Sequence, residues 1–228
     1  MKIVVLTGAG MSAESGIKTF RDSDGLWENH RIEDVATPEA WHRNPELVTL
    51  FYNQRREQLS VVKPNEGHLA LKSLEVKHEV IIITQNVDDL HERAGSTQII
   101  HLHGELTKLR SVKFETDLYD VGYKSVKHGE KCPKGTILRP FIVWFGESVP
   151  MIEKAVEITQ KADMLIVVGT SLEVYPAAGL IHEVKPNTPI VLIDPNRHDN
   201  IHQKNIHLIK DTAANALPKL VNKLLNEH

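Results

Sequence analysis

The chain has 228 residues, 41% hydrophobic and 25% charged, enough to bury the core of one globular domain or of one domain carrying a smaller inserted lobe. Its 27 Lys and Arg stand against 30 Asp and Glu for a formal charge of −3, and aromatics make up 5%, so neither a basic nucleic-acid face nor a base-stacking surface is expected. A single cysteine, Cys132, excludes an internal disulfide framework and a multi-thiolate metal site within one chain.

The first element is the apolar run Ile3-Val4-Val5-Leu6, broken at once by Thr7-Gly8. It is too short for a signal-peptide core, and no later run approaches the roughly twenty apolar residues of a membrane span, so a soluble cytoplasmic protein without a membrane partner is expected. After it comes Gly8-Ala9-Gly10-Met11-Ser12-Ala13-Glu14-Ser15-Gly16, which reads as a glycine turn and a helix start. Such glycines let a backbone approach a phosphate, and free N–H groups at a helix start favour an anion. No Gly follows three residues after Gly10, so the usual dinucleotide fingerprint is incomplete, and a tight turn without a ligand competes. The Arg of Phe20-Arg21-Asp22 suits a phosphate, a ring or plain solvent.

Residues 29 to 65 are polar and helical, with Trp41 and the run Leu47-Val48-Leu50-Phe51. Within them Tyr52 and Arg55 are three apart and share a helix face. A phenol beside a guanidinium makes a carboxylate receptor; the plain alternative is a surface Arg beside a half-buried Tyr.

Further runs at Val80 to Thr84, Met164 to Val168 and Ile190 to Ile193 are apolar on both alternating faces, as expected of strands buried on both sides of a parallel sheet. Helical patterns cover Ile152 to Lys161 and the tail around Leu217, Leu220, Val221, Leu224 and Leu225. The fold class expected is therefore α/β, a Rossmann-like doubly wound parallel sheet with a smaller lobe. The large lobe takes about 1–28, 66–104 and 140–228, and the small lobe about 29–65 and the charged, turn-rich 105–139. Ligands in such sheets sit outside the carboxyl ends of the strands. Those ends read Gly8-Ala9-Gly10, Gln85-Asn86-Val87-Asp88, Gly169-Thr170-Ser171 and Asp194-Pro195-Asn196, four polar endings that make one site the economical reading. His101 and His103 close another short strand and point the same way, which suits a metal pair, a general base, or one packed and one exposed ring.

Taken together the motifs are more specific than any one of them. Residues 8–17 (GAGMSAESGI), 19–22 (TFRD), 84–88 (TQNVD), 103–106 (HGEL), 139–147 (RPFIVWFGE) and 168–172 (VGTSL) occur in sirtuin order. The chain closely resembles a sirtuin, an NAD-dependent protein lysine deacylase, from residue 3 almost to its end. The resemblance implies a cofactor pocket at Gly8, Ala9, Gly10, Ser12, Ala13 and Glu14, with Phe20 and Arg21 in a loop covering it. It assigns Gln85, Asn86, Val87 and Asp88 to the nicotinamide side and Gly169, Thr170 and Ser171 to the adenosine side. Asp194 would take ribose hydroxyls and Ala213 would lie by the adenine. His103 is the implied general base, with Asn86 the second catalytic group, and Val143, Phe145 and Gly146 form the edge that an extended acyl-lysine protein or peptide joins. In the implied chemistry NAD is consumed: the acyl oxygen displaces nicotinamide, His103 deprotonates a ribose hydroxyl, and free lysine leaves with O-acyl-ADP-ribose.

Tyr52 and Arg55 match the Tyr-x-x-Arg motif of the sirtuin branch that removes succinyl, malonyl and related acidic acyl groups, so acidic acyl-lysines are the expected substrates ahead of acetyl-lysine. Most sirtuins hold a structural zinc with two Cys pairs. Here Ser111-Val112-Lys113-Phe114 replaces the first pair and only Cys132 remains of the second, so no zinc is expected. Packing around Leu118, Tyr119, Tyr123 and Ile137 is expected to hold the lobe instead. A hydride-transferring NAD enzyme, a non-enzymatic NAD or ADP-ribose sensor and a mono-ADP-ribosyltransferase remain as alternatives, and the sequence leaves oligomeric state open.

Overall fold

The computed structural model describes residues 1–18, 26, 27, 30–196 and 205–226. In chain order, β1 (Lys2–Thr7) leads into the four-residue α1 (Gly10–Ala13), and β2 (Leu26–Trp27) pairs with β3 (His30–Arg31). Four helices follow, α2 (Ile32–Val35), α3 (Pro38–Arg43), α4 (Pro45–Val61) and α5 (Glu66–Leu74). Next come β4 (Glu79–Thr84), α6 (Leu90–Arg93), β5 (Ile99–His101), β6 (Gly104–Ser111), β7 (Leu118–Asp120) and β8 (Leu138–Ile142). The chain then runs through α7 (Ile152–Thr159), β9 (Met164–Val168), a 3-10 turn at Ala177–His182, β10 (Ile190–Ile193), β11 (Ile206–Ile209) and α8 (Ala213–Asn226). None of the helices described is long and apolar enough to cross a membrane.

Among the described residues the main sheet has six strands, all parallel, in the order β11-β10-β9-β1-β4-β5. Alternate residues feed two apolar layers. Ile3, Val5, Ile82, Ile166 and Val168 face α5 and α8 through Leu71, Leu74, Leu217 and Val221. Val4, Leu6, Ile83, Leu165 and Val167 face α7 and the 3-10 turn through Ala155, Leu180 and Ile181. The strands are thus apolar on both faces because both faces are covered, as the doubly wound reading requires. The order runs outward from β1 through β4 to β5 on one side and through β9 to β11 on the other. The switch point therefore lies between β1 and β9, where such sheets open a crevice at their carboxyl ends.

A separate antiparallel sheet, β7-β6-β8, stands beside α2 to α4. A third apolar cluster joins them through Val48, Phe51, Tyr52, Leu59, Leu106, Ile142 and Trp144. Three side-chain caps set the helix starts here: Thr37 accepts from the Ala40 N–H, Asn44 from the Leu47 N–H with Pro45 following it, and Asn65 from the Gly67 and His68 N–H groups.

Candidate functional site

At the switch point the turns after β1 and β9 interlock. Gly8 N–H donates to the Val168 carbonyl at 3.0 Å, and Gly10 N–H to the Gly169 carbonyl at 2.8 Å. A Cβ on Gly8 would lie 2.6 Å from the Gly169 oxygen, and one on Gly169, whose φ is +65°, would lie 2.3 Å from the Met11 nitrogen. The sequence reading gave Gly8 and Gly10 to phosphate approach and Gly169 to the adenosine side. The structure accounts for them through neighbouring backbone, which fills the space a side chain would need.

Around this crossing the polar strand ends converge. Asn86 Nδ2 donates to the Gly8 carbonyl at 3.0 Å and to Ser12 Oγ at 3.2 Å, and the Ser12 hydroxyl donates to Asp88 Oδ2 at 2.8 Å. Burial raises the Asp88 carboxyl above its ordinary pKa, opposed by the Leu90 N–H, the Ser12 hydroxyl and the charge of His101. Gln85 Nε2 donates to Thr170 Oγ1 at 3.2 Å and so ties the end of β4 to the end of β9. Val87 is held by its carbonyl, which accepts from the Leu106 N–H, and Asp194 Oδ1 accepts from the Asn196 N–H at 2.7 Å. Ala9, Ala13 and Ser171 flank these groups in sequence. Glu14 turns elsewhere: its two oxygens accept from the Thr212 hydroxyl and the Ala214 N–H, fixing the start of α8 around the buried Ala213. Phe20 and Arg21 lie outside the described residues.

His103 sits between β5 and β6, next to Gly104, whose φ of +83° and whose closeness to the Phe141 carbonyl suit only glycine. Its Nδ1 is 2.9 Å from the Gln85 carbonyl. A carbonyl only accepts, so the proton is on Nδ1 and Nε2 carries the lone pair. Burial holds the ring below the ordinary histidine pKa, with the Gln85 bond opposing, so at neutral pH the ring is uncharged. That is the protonation state of a base.

The remaining candidates gather on the other side of His103. Val143 N–H donates to the His103 carbonyl at 2.9 Å, and Phe145 N–H to the Ala36 carbonyl at 3.0 Å. Between them Trp144 is buried and its indole N–H donates to the Tyr52 hydroxyl at 3.0 Å. Tyr52 is wholly buried, which drives its phenol pKa up despite the Trp144 bond, so it stays protonated. Arg55, one turn further along α4, holds its guanidinium 5.6 Å from the Phe51 ring centroid. Gly146 has φ +90° with open space where a Cβ would stand. Sequence reasoning assigned no role to Arg139 and Glu147. Arg139 lies 3.3 Å from the Trp144 ring centroid and forks onto Glu147 at 2.7 and 3.0 Å, while Glu147 Oε2 also accepts the Trp144 N–H. Their place inside the 139–147 motif was the available signal.

The Sir2 family model matches residues 8–176, which takes in every strand end just described except that of β10. The chain belongs to the Sir2 family. It is 53% identical to an "NAD-dependent protein deacylase" of Bacteroides thetaiotaomicron, over 98% of this chain and 97% of that one. It is 50% identical to a protein of the same name from Helicobacter pylori, again over 98% and 97%. Among solved structures, a Sir2 homologue–NAD complex is 40% identical with a TM-score of 0.87, over 98% of this chain and 89% of that one. A mutant Sir2 homologue in complex with ADP-ribose is 38% identical with a TM-score of 0.90, over 100% and 94%.

Around the sheet β7-β6-β8 the residues weighed for a zinc site bond one another instead. Cys132 Sγ lies 3.0 Å from Thr136 Oγ1, which lies 2.6 Å from Ser111 Oγ, and Ser111 Oγ accepts the N–H groups of Lys113 and Phe114. One thiol beside two hydroxyls that already bond each other does not fit a closed zinc site, and His128 packs edge-on against Trp41. Among the described residues no group of three or more His, Cys, Asp and Glu is placed to hold a metal. The apolar packing expected here is corrected: Leu118, Tyr123 and Ile137 are all exposed. Polar contacts hold the sheet instead, above all the fully buried Arg56, whose guanidinium donates to the carbonyls of Lys124 and Leu106 and to Asn53.

Proposed function

We propose that this Sir2 family chain is an NAD-consuming protein lysine deacylase, acting in the cytoplasm, with His103 as general base and with acidic acyl-lysines preferred over acetyl-lysine. The observation that carries the reading is the tautomer of His103: a neutral ring with a bare Nε2, held by the carbonyl of Gln85, the residue that precedes Asn86 of the Asn86–Ser12–Asp88 network. Relatives of closely similar length bearing the name NAD-dependent protein deacylase support it.

The residues fit NAD. Asn86, Asp88, Thr170 and Asp194 are polar side chains buried along one sheet edge whose packing needs no polarity, a set suited to ribose hydroxyls and an amide. When bound, NAD supplies an electrophilic ribose carbon with nicotinamide as leaving group, and the expected products are nicotinamide and O-acyl-ADP-ribose. The protein orients and moves protons. Asn86 and Ser12 hold the nicotinamide side of the pocket, and Gln85 with Thr170 braces the two strand ends across it. His103 Nε2 receives the proton of a ribose hydroxyl, and Nδ1–H stays on the Gln85 carbonyl so that the developing imidazolium is held in place. Because burial lowers the His103 pKa, the acid limb of the rate profile falls below about pH 6.5.

Support for the acyl preference comes from Trp144. It links Tyr52 directly to the Val143–Phe145 edge, where a peptide strand adds, and Arg55 follows one turn away to meet a carboxylate. The two lobes read from sequence then become the two walls of the cleft, with Phe145 and Gly146 at its rim.

Matched acetyl- and succinyl-lysine peptides, incubated with and without NAD and followed by mass spectrometry, test the whole reading. The expected result is NAD-dependent removal with succinyl ahead of acetyl, at least 100-fold slower in His103→Ala. The pair Tyr52→Phe/Arg55→Met should lose most of the succinyl preference while keeping acetyl removal. Unchanged selectivity would sink the acyl assignment, and turnover surviving His103→Ala would sink the base.

A further inference from the structure

His101 precedes His103 by two residues, and the pair grip consecutive carbonyls of the segment after β4. His103 Nδ1 is on the Gln85 carbonyl at 2.9 Å, and His101 Nδ1 is on the Asn86 carbonyl at 3.2 Å. The far nitrogen of His101 is 2.7 Å from Glu92 Oε1 on α6. A carbonyl and a carboxylate are both acceptors, so both ring nitrogens of His101 must be donors and the ring is an imidazolium. One neutral ring and one charged ring therefore stand side by side at one strand end, separated by their partners.

The surroundings agree. Burial works against the charge on His101, but the bond and charge of Glu92, then the charge of Glu105 and the Asn86 carbonyl, outweigh it and hold the ring above the ordinary histidine pKa. The ring borders a cavity of about 230 Å³ whose wall also carries Asp88, Asp89, Glu105 and Asp120. The other cations nearby are engaged: Lys108 is 2.7 Å from Glu105 and Arg93 is 3.6 Å from Asp89. His91, on α6, is kept neutral by burial first and by the charge of His101.

We propose that His101, held charged by Glu92, is a positioning residue for the reaction: it clamps the Asn86 carbonyl so that the Asn86 side chain stays on Gly8 and Ser12 and the Gln85 carbonyl stays on His103. The consequence reaches the base across the Asn86 α-carbon, because the Gln85 and Asn86 carbonyls belong to adjacent peptide planes. If the Asn86 carbonyl is released, the Gln85–Asn86 segment can turn, and His103 loses the acceptor that selects its Nδ1–H tautomer. Loss of the His101 proton has the same effect, because the remaining proton goes to the Glu92 carboxylate and leaves a lone pair facing the Asn86 oxygen. In Glu92→Gln the carboxamide N–H can face that ring nitrogen instead, so a neutral His101 keeps its proton on Nδ1 and the clamp survives deprotonation.

This inference rests on the reading of His103 as base, and the test separates the two. Long-range proton–nitrogen NMR of the unliganded protein at pH 7.5 should show both His101 nitrogens protonated and His103 with a bare Nε2. In His101→Phe, the His103 signal should become a mixture of tautomers, and kcat should fall at least tenfold with KM for the acyl peptide within threefold. Wild type should lose kcat on the alkaline side, and Glu92→Gln should lack that limb. A neutral His101 in the wild type, an unchanged His103 tautomer in His101→Phe, or an alkaline limb that persists in Glu92→Gln each overturns the clamp, whatever His103→Ala does. Undiminished turnover in His103→Ala, with the three His101 results as expected, overturns the base and leaves the clamp on Asn86.

Discussion

The six-stranded sheet and the sheet β7-β6-β8 solve the same problem with different materials. In the first, side chains such as Ile3, Ile82, Ile166 and Val167 are wholly buried between helices, and specificity comes from volume and from glycines at the crossing of two turns. In the second, Leu118, Tyr123 and Ile137 reach solvent, and position is set by a guanidinium that bonds main-chain carbonyls tens of residues away and by two hydroxyls, of Ser111 and Thr136, that bond each other. Apolar layers tolerate small volume changes. Polar ties leave buried partners unmet when cut, so each costs more than its bond is worth. The smaller sheet should therefore be the region where one substitution does the most harm.

Arg56→Met gives the largest expected effect. The change keeps most of the side-chain volume but strands the carbonyls of Leu106 and Lys124, and burial has already pushed the guanidinium down to about 10 without uncharging it at neutral pH. The expected loss is about 4 kcal/mol in urea unfolding, against about 1 kcal/mol for Ile82→Val in the large sheet. Equal losses would erase the contrast.

Among the buried polar groups beside the large sheet are two histidines, and acid should expose them. His68 and His91 lie under β1 with ring centroids 4.8 Å apart, and His91 Nε2 is 3.2 Å from Thr7 Oγ1. Burial lowers His68 to about 4, opposed by the charge of Glu92, and holds His91 well below the ordinary histidine value. In the unfolded chain both titrate near about 6.5, so between those values the unfolded state binds more protons. Stability is full above that window and falls as pH drops through it, by roughly 3 kcal/mol at pH 4 for His68 alone. His68→Gln keeps an acceptor for the N–H of the helix cap Asn65 and should flatten much of that slope. An unchanged slope would move the acid sensitivity elsewhere.

How much of this was legible follows the same divide. Strands β1, β4, β9 and β10 were readable within a residue or two because burial on both faces leaves uninterrupted β-branched runs. β11 gave no such signal, since at the sheet edge its Ile-His-Leu-Ile is only partly covered. At the site, His103, Asn86 and the polar strand ends were visible as motifs. What was not visible was who holds them: that His101 faces the Asn86 carbonyl, that Glu14 caps α8, and that Trp144 bonds Tyr52 all depend on contacts between residues far apart in sequence. The expectation for Leu118, Tyr123 and Ile137 failed because the sheet packs on α4 through Leu106 and Ile142, and these three lie outside that cluster.

The smallest expected effect is also the sharpest test of the contrast. Thr136 Oγ1 is the one atom shared by Ser111 and Cys132, and the Thr136 carbonyl accepts the Cys132 N–H at 2.9 Å, so the residue ties both ends of the β6 to β8 excursion. Thr136→Val preserves shape and β-branching and removes only the hydroxyl. If polar ties hold this sheet, the loss is about 1–2 kcal/mol in Tm-derived stability, because Ser111 Oγ keeps its backbone donors but loses its partner. If the exposed apolar residues contributed the hold, the added methyl would be neutral or stabilising. Hydrogen exchange locates the answer: faster exchange at the Val112 and Cys132 amides, with the β1 and β9 amides unchanged, would place the loss in the knot itself.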